Sequence, residues 1–120
     1  TGNASRGYAS LPVPSFSAVN VPGGVTASVG LIEGMDRGVL VEQFIGLGQS
    51  NTLTGDFSAN LDLAYLVEGG RIVGRVKDCM ISDNLFSLLA APFELSRDIE
   101  RVGSATLPFA FFPAVNYTAN

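Results

Sequence analysis

Residues 57–81 carry the pattern that most constrains the fold of this chain. From Phe57 to Glu68 apolar and polar positions alternate, and a period of two is typical of a strand with one buried face. Gly69-Gly70 follows directly, and two adjacent glycines suit the two-residue turn of a β-hairpin, whose central residues need positive φ. The sequence therefore predicts that a second strand starts at Arg71 and pairs with the first.

The register of this hairpin follows from counting outward from the turn. The predicted cross-strand pairs are Glu68 with Arg71, Val67 with Ile72, Tyr65 with Gly74, Leu63 with Val76, and Asp62 with Lys77. Both charged pairs combine opposite charges, which stabilises facing positions on a sheet. A shift of one residue would turn every side chain to the other face, so the pattern specifies this register.

The remaining patterns predict an α+β domain that is mainly antiparallel β-sheet, with about five to six strands and two short helices. One helix is expected after an N-cap at Thr26, ending near Gly34 and Gly38, and the other after Ser82 or Asp83, ending before Pro92. Further strands are expected over residues 15–21, 38–45 and 106–112, and Pro108 and Pro113 indicate an edge position or a strand end for the last. Residues 93–102 are expected to be irregular.

Composition limits the classes of protein to which the chain can belong. At 120 residues it is long enough for one domain with a core, and its net charge of −4 disfavours direct nucleic acid binding. Charged residues make up 15% and hydrophobic residues 47%, which predicts that part of the surface meets another domain or subunit. Residues 1–14 are interpreted as a linker or N-terminal arm of a longer chain, and residues 15–120 as a single domain.

The chain contains no histidine and a single cysteine, Cys79. Without histidine it lacks the commonest general base and zinc ligand, so no catalytic, cofactor-binding or metal-binding residue is predicted within it. Cys79 is expected on the strand face that carries Arg75 and Lys77, as an inert thiol. It has no partner for an internal disulfide, and no apolar run approaches the roughly 18 residues that span a bilayer. A cytoplasmic protein without membrane contact is therefore expected.

A loop rich in glycine and small polar residues precedes the hairpin, over residues 46–58. It lacks the Lys-Ser/Thr pair and the strand-to-helix context of a phosphate-binding loop, which disfavours nucleotide binding. Asp56 is expected to accept backbone N–H groups in an Asx-type turn, with Gly55 supplying the unusual dihedral angle. Asp56 and Asp62 would lie on one strand face but about 20 Å apart, too far to act on one bond.

Six segments occur in an order and at a spacing that resemble a known family. They are Thr1-Gly2-Asn3, residues 36–41 (DRGVLV), Gly46-Leu47-Gly48, residues 54–58 (TGDFS), residues 66–72 (LVEGGRI) and residues 82–85 (SDNL). Together they closely resemble the C-terminal domain of the TldD/PmbA family. Members were named modulators of DNA gyrase and are similar to cytosolic metallopeptidases that trim or degrade small peptides and unfolded polypeptides.

The resemblance implies a heterodimer of two homologous subunits, of which only one binds zinc. Only the TldD-type subunit carries the zinc motif HExxxH, in a segment before this domain, and a cysteine near the C-terminal end completes its metal site. Here the corresponding residues 103–108 contain no cysteine, and Cys79 does not match that ligand. The chain therefore looks like a PmbA-type, non-catalytic subunit, and zinc would be held by a partner subunit or by a segment upstream.

The resemblance also implies that this domain builds the subunit interface and lines a cavity that holds an extended peptide. Addition of the peptide as a strand is a physically reasonable mode of binding, and loops on a rigid sheet usually carry function. The candidate contacts to peptide or partner are Gly46, Gly48, Gln49, Ser50, Asn51, Thr54, Asp56 and Ser58. The expected partner is a TldD-like homologous subunit, or a second copy of the chain.

Two other functions remain open at this point. The chain is alternatively part of an active zinc metallopeptidase subunit whose HExxxH motif lies upstream. It is alternatively a non-enzymatic interaction domain that modulates DNA gyrase or another partner. The upstream sequence separates the first alternative from the PmbA-type interpretation, and peptide cleavage assays address the second.

Overall fold

The structure is a computed structural model that describes residues 4–15, 18–47 and 50–119. Within these ranges the chain forms two short helices and ten strands. The elements in chain order are β1 (Ala4–Ser5), β2 (Val13–Pro14), β3 (Val19–Asn20), α1 (Ser28–Glu33), β4 (Arg37–Ile45), β5 (Asp56–Glu68), β6 (Arg71–Val76), β7 (Cys79–Asn84), α2 (Leu85–Ala90), β8 (Glu94–Val102), β9 (Ala105–Phe111) and β10 (Asn116–Ala119).

The main sheet contains five strands built around the 13-residue strand β5. Strand β4 pairs along one side of β5, while β7 and β6 pair in turn along the other side, and β10 pairs outside β7. All of these pairs are antiparallel, so the predicted α+β class with a mainly antiparallel sheet is confirmed. The strands that were not expected as separate elements are β1, β2, β7, β8 and β10, whereas β3 and β9 fall within the expected strands over residues 15–21 and 106–112.

The predicted hairpin is confirmed at its turn and corrected further along. Gly69 and Gly70 have φ angles of 57° and 76°, and the pairs Glu68–Arg71 and Val67–Ile72 form as expected. The next pair is Leu66 with Gly74, because Val73 is an extra residue that makes a β-bulge.

The bulge changes every predicted pair beyond it. Ala64, rather than Leu63, faces Val76, and Tyr65 faces Arg75 instead of Gly74. The predicted pair of Asp62 with Lys77 is wrong because β6 already ends at Val76. The bulge does not affect the turn, but it shifts the register of all pairs that follow it. Cross-strand pairs counted outward from the turn are therefore correct only as far as Ile72.

The tip of the hairpin packs against the end of α1. The N–H of Gly70 donates to Met35 O at 2.8 Å, and the N–H of Gly69 donates to Asp36 O at 2.7 Å. A Cβ atom at Gly70 would overlap the carbonyl oxygen of Glu33. Glycine is therefore needed at position 70 for close approach as well as for its positive φ.

The second hairpin strand does not continue to Ile81. The chain bends at Lys77 and Asp78, and Asp78 adopts a φ of 53° before β7 begins at Cys79. Cys79 is consequently not on one continuous strand face with Arg75 and Lys77. Its side chain is buried in the core with 5% of its surface exposed, and its Sγ lies 2.8 Å from Tyr117 Oη.

The core is small for a chain of this length. Leu61, Ala64, Val76 and Cys79 form its centre, and Val39, Val41, Leu66 and Ile81 pack against them. The radius of gyration is 16.6 Å, whereas a compact domain of this length has about 13.6 Å. Many large apolar side chains are exposed, including Phe44, Leu85 and Phe86. The chain therefore buries less apolar surface by itself than its composition allows.

The two helices have the expected positions but different caps. Ala27 occupies the N-cap position of α1 without a side-chain hydrogen bond, while the predicted cap Thr26 forms a parallel bridge with Ser96. In α2 the cap is Asn84, whose side chain accepts from Ser87 N. The predicted caps Ser82 and Asp83 belong to β7.

The second sheet has the strand order β3-β9-β8, with β3 parallel to β9. The prediction that residues 93–102 are irregular is wrong, because β8 occupies residues 94–102. A bulge between Leu95 and Ile99 interrupts the register of β8 with β9. The sequence of β8 therefore lacks the continuous period of two from which a strand is predicted. The expected edge position of the strand over residues 106–112 is wrong, because β9 lies between β3 and β8. Pro108 faces Ile99 of β8, and β3 pairs only with Ala105 and Thr106, so Pro108 itself has a paired strand on one side.

Candidate functional site

The loop before β5 is closed by an Asx turn centred on Asn51. Asn51 Oδ1 accepts hydrogen bonds from Leu53 N at 3.0 Å and Thr54 N at 3.2 Å. The main chain of Asn51 also bonds to Gly55 N and Asp56 O, each at 2.9 Å. The sequence predicted Asp56 in the role that Asn51 fills, and that prediction is wrong. The expected special dihedral at Gly55 is confirmed by its φ of 82°.

The carboxylate of Asp56 binds side chains instead of backbone N–H groups. Thr54 Oγ1 donates to its Oδ2 at 2.9 Å, and Asn84 Nδ2 donates to its Oδ1 at 2.9 Å. These hydrogen bonds, with that from Asn84 the stronger cause, hold the pKa of Asp56 below its ordinary value. Asp56 is therefore an exposed, ionised carboxylate with a fixed orientation at neutral pH.

Asn84 joins the loop to the elements that follow. Its Nδ2 donates to Thr54 O at 2.7 Å as well as to Asp56, while its Oδ1 accepts from Ser87 N at 3.0 Å and caps α2. Its main-chain N–H donates to Asp83 Oδ1, and Asp83 Oδ2 accepts from Asn116 N in β10. Asn84 was not predicted as the cap of α2, although asparagine directly before an apolar helical pattern is a strong N-cap signal.

The structure brings only some of the predicted contact residues together. Ser50, Asn51 and Asp56 line one side of a groove, whereas Gly46, Thr54 and Ser58 do not line it. Ser58 Oγ donates to Met80 Sδ at 3.0 Å. Gly48 and Gln49 lie outside the described residues. The contact role of all eight residues stays a prediction.

The groove has a volume of about 1610 Å³. Its walls are α1, β4, the start of β5, α2 and β9, and apolar side chains such as Ile32, Val39, Phe86 and Phe109 dominate its lining. Strand β4 lies at the end of the main sheet, so its outer edge has no paired strand in the described part of the chain. The groove therefore offers apolar surface beside an open strand edge, as sites for extended segments do.

Metal-binding clusters and membrane-spanning helices are both absent from the described residues. Over residues 4–15, 18–47 and 50–119, no three potential ligands among aspartate, glutamate and cysteine side chains lie close enough to hold a metal ion. In the same ranges, no helix has the length and apolar character needed to cross a bilayer.

Comparison with known proteins identifies the family. The model of the PmbA/TldA metallopeptidase C-terminal domain matches residues 1–118. The chain belongs to the PmbA/TldD family. The resemblance predicted from the six sequence segments is thereby confirmed, and the chain corresponds to the C-terminal domain of the family's proteins.

Relatives and solved structures agree with this assignment. An uncharacterized protein of Methanocaldococcus jannaschii is 31% identical over 93% of this chain and 26% of its own length. The metalloprotease TldD homolog of Buchnera aphidicola is 29% identical over 86% of this chain and 20% of its own.

Among solved structures, TldE from Thermococcus kodakarensis has a TM-score of 0.86 and 27% identity, covering 99% of this chain and 27% of that one. A protein of Bacteroides thetaiotaomicron, whose name proposes modulation of DNA gyrase, has a TM-score of 0.79 and 27% identity over 90% of this chain and 24% of its own. This PmbA/TldD domain thus spans about a quarter of the length of these relatives.

Proposed function

We propose that this PmbA/TldD domain belongs to a PmbA-type, non-catalytic subunit of a metallopeptidase complex that acts in peptide maturation or proteolysis. The observation that carries the proposal is the position of Cys79. The only cysteine of the sequence is buried in the core, where its thiol donates to Lys77 O at 3.0 Å and contacts Tyr117 Oη. It is therefore unsuited to complete a zinc site, and zinc would belong to a TldD-like partner or to an upstream segment.

The role proposed for the domain is to hold an extended peptide while the partner subunit cleaves it. The open edge of β4 supplies main-chain hydrogen-bonding groups, and the apolar groove beside it supplies contacts for alternate side chains. The loop that carries Ser50, Asn51 and Asp56 follows β4 in the chain and lines the same groove. Main-chain pairing gives affinity with little sequence preference, which suits a protein that handles varied peptides.

Co-purification and peptide cleavage assays test this proposal. The full-length protein should co-purify with a TldD-like subunit, and the pair should cleave unfolded peptides only without a chelator. Phe44→Asp, in the groove, should slow cleavage about tenfold by placing a charge on the apolar lining. Ile72→Asp is the matched control, because Ile72 is similarly exposed but lies outside the groove.

The outcomes separate three functions. Cleavage that persists in chelator would contradict the proposal. Chelator-sensitive cleavage by the full-length protein without a partner would favour an active zinc peptidase subunit.

The name of the Bacteroides relative supports a second candidate, an interaction domain that modulates DNA gyrase. With a net charge of −4 the chain would act on gyrase protein instead of on DNA. Stable co-purification with gyrase subunits, without peptide cleavage, would favour this candidate.

A further inference from the structure

The charges around the groove are predominantly negative. Its charged lining residues are Asp36, Arg37, Glu42, Asp56 and Glu100, four carboxylates and one guanidinium. The guanidinium of Arg37 lies 3.9 Å from the carboxylate of Glu68, outside the groove lining, so its charge is already partly balanced. An apolar segment that enters the groove therefore meets a field that favours cations and disfavours anions.

Glu42 owes its position to a β-bulge in β4. Val41 pairs with Ala64 and Gln43 pairs with Leu63, so Glu42 is an extra residue without a partner in the register. Bulges redirect side chains, and they occur often beside functional sites. The exposed side chain of Glu42 lines the groove at this bulge.

Asp56 supplies a second carboxylate beyond the Ile45 end of β4, because Ile45 pairs with Asn60 and Asp56 precedes Asn60 by four positions. Leu63, which faces the bulge, follows Asp56 by seven positions in β5. At the rise of a β-strand this corresponds to roughly 23 Å between the two carboxylate positions. An extended peptide of about eight residues covers the same distance, with apolar side chains between its ends.

We infer that the groove selects apolar peptide segments that carry lysine or arginine near both ends, with the cations facing Glu42 and Asp56. This inference rests on the proposed peptide-holding function and adds a substrate class to it. Selection of this kind excludes acidic segments by repulsion as well as attracting basic ones. Both carboxylates are exposed, so the preference is electrostatic and sensitive to salt.

Competition binding to the full-length protein tests the inference. The probes are acetylated and amidated octapeptides with a core of six alternating alanine and leucine residues, flanked by lysine, glutamine or glutamate. At low ionic strength the lysine-flanked peptide should bind about fivefold more tightly than the glutamine-flanked one, and the glutamate-flanked peptide most weakly. In 1 M salt the three affinities should converge.

Two matched variants locate the preference. Glu42→Gln should reduce the preference for lysine to about twofold, since one of the two proposed contacts is lost. Glu94→Gln should leave it unchanged, because Glu94 is exposed but lies outside the groove lining. Equal affinity for lysine- and glutamate-flanked peptides, the same effect from both variants, or no binding of any octapeptide would overturn the inference. Chelator-sensitive cleavage with a partner subunit would still support the proposed function in each of these cases.

Discussion

Asp98 caps helix α1 through Ser28, which lies 70 residues earlier in the chain. One carboxylate oxygen accepts from Ser28 N at 2.7 Å, and the other accepts from Ser28 Oγ at 2.6 Å. The bulge of β8 carries Asp98, and the parallel bridge between Thr26 and Ser96 holds that bulge against the helix start. The second sheet therefore supplies a helix cap that the helix's own N-cap position lacks.

Asp98→Ala should lower the thermal unfolding temperature, and the effect should depend on pH. The hydrogen bonds from Ser28, side chain first, hold the pKa of Asp98 below its ordinary value of 3.8. A carboxyl group with a lowered folded-state pKa stabilises the fold above its unfolded pKa, and this contribution is lost as pH falls through the folded pKa. The difference in melting temperature between wild type and variant should thus be full at neutral pH and disappear in strong acid. A difference that stays constant below pH 3.8 would contradict the assignment.

Asn84→Asp should raise the pKa of Asp56. The variant keeps an oxygen that accepts from Ser87 N, but it loses the amide that donates to Asp56 and Thr54 O and adds a like charge. Carboxyl titration followed by NMR measures the change. Asn60→Asp is the control, since Asn60 is an exposed residue of the same strand β5 with no side-chain contact to Asp56. An unchanged Asp56 titration in Asn84→Asp would show that the hydrogen bond is unimportant.

Gly70→Ala should destabilise the fold more than Gly69→Ala. Both residues have positive φ, which costs an alanine about 1 kcal/mol, and a Cβ at position 69 meets open space. At position 70 the Cβ would also overlap the Glu33 carbonyl, so the total loss should reach about 3 kcal/mol. Urea denaturation of the two variants gives both values. Equal losses would mean that the hairpin tip does not pack on α1 in solution.

Cys79→Ala should lower the pKa of Tyr117. The Cys79 thiol donates to Lys77 O, so the Tyr117 hydroxyl donates to Sγ, and this bond together with burial raises the phenol pKa above 10.0. The neutral phenol therefore stabilises the fold below pH 10.0, and the contribution is lost as pH rises through the folded pKa.

Tyrosine ionisation is followed by the absorbance of tyrosinate as pH is raised. The ionisation step that is missing in Tyr117→Phe belongs to Tyr117. Cys79→Ser, which keeps a hydrogen-bonding group at this position, should retain part of the raised pKa. A Tyr117 titration that is identical in wild type and Cys79→Ala would refute the contact.

The hairpin illustrates how far local pattern predicts this fold. The period of two and the Gly69-Gly70 pair fixed the strand β5, the turn and the first two cross-strand pairs, because these depend on residues adjacent in sequence. The bulge at Val73 and the bend at Asp78 were not predicted. Both irregularities accompany the packing of Val76 and Cys79 in the core. The local signals for them were Gly74, since glycine within a strand often marks a bulge, and Asp78, since aspartate tolerates positive φ.

The candidate loop was selected from the sequence, but its internal contacts were not predicted. The loop from Ser50 to Asp56 does border the groove, but its Asx turn uses Asn51, and its carboxylate is held by Asn84, 28 residues later. Such contacts depend on the pairing of β5 with β7, which places Asp56 opposite Asn84. The resemblance implied a cavity, but the residues that line the groove were not predicted, because its walls come from both sheets and both helices.

By itself, the sequence determined the family, the α+β class, the long alternating strand and the glycine turn, since each depends on residue order or on interactions between neighbours along the chain. Only the tertiary structure decided which oxygen caps each helix, where the bulges lie, and which charges border the groove. The physical reason is that hydrogen bonds such as that from Ser28 to Asp98 form between residues distant in sequence, and burial in a shared core selects them. Glu42 and Asp56 line one groove for the same reason, because the pairing of β4 with β5 sets the distance between them.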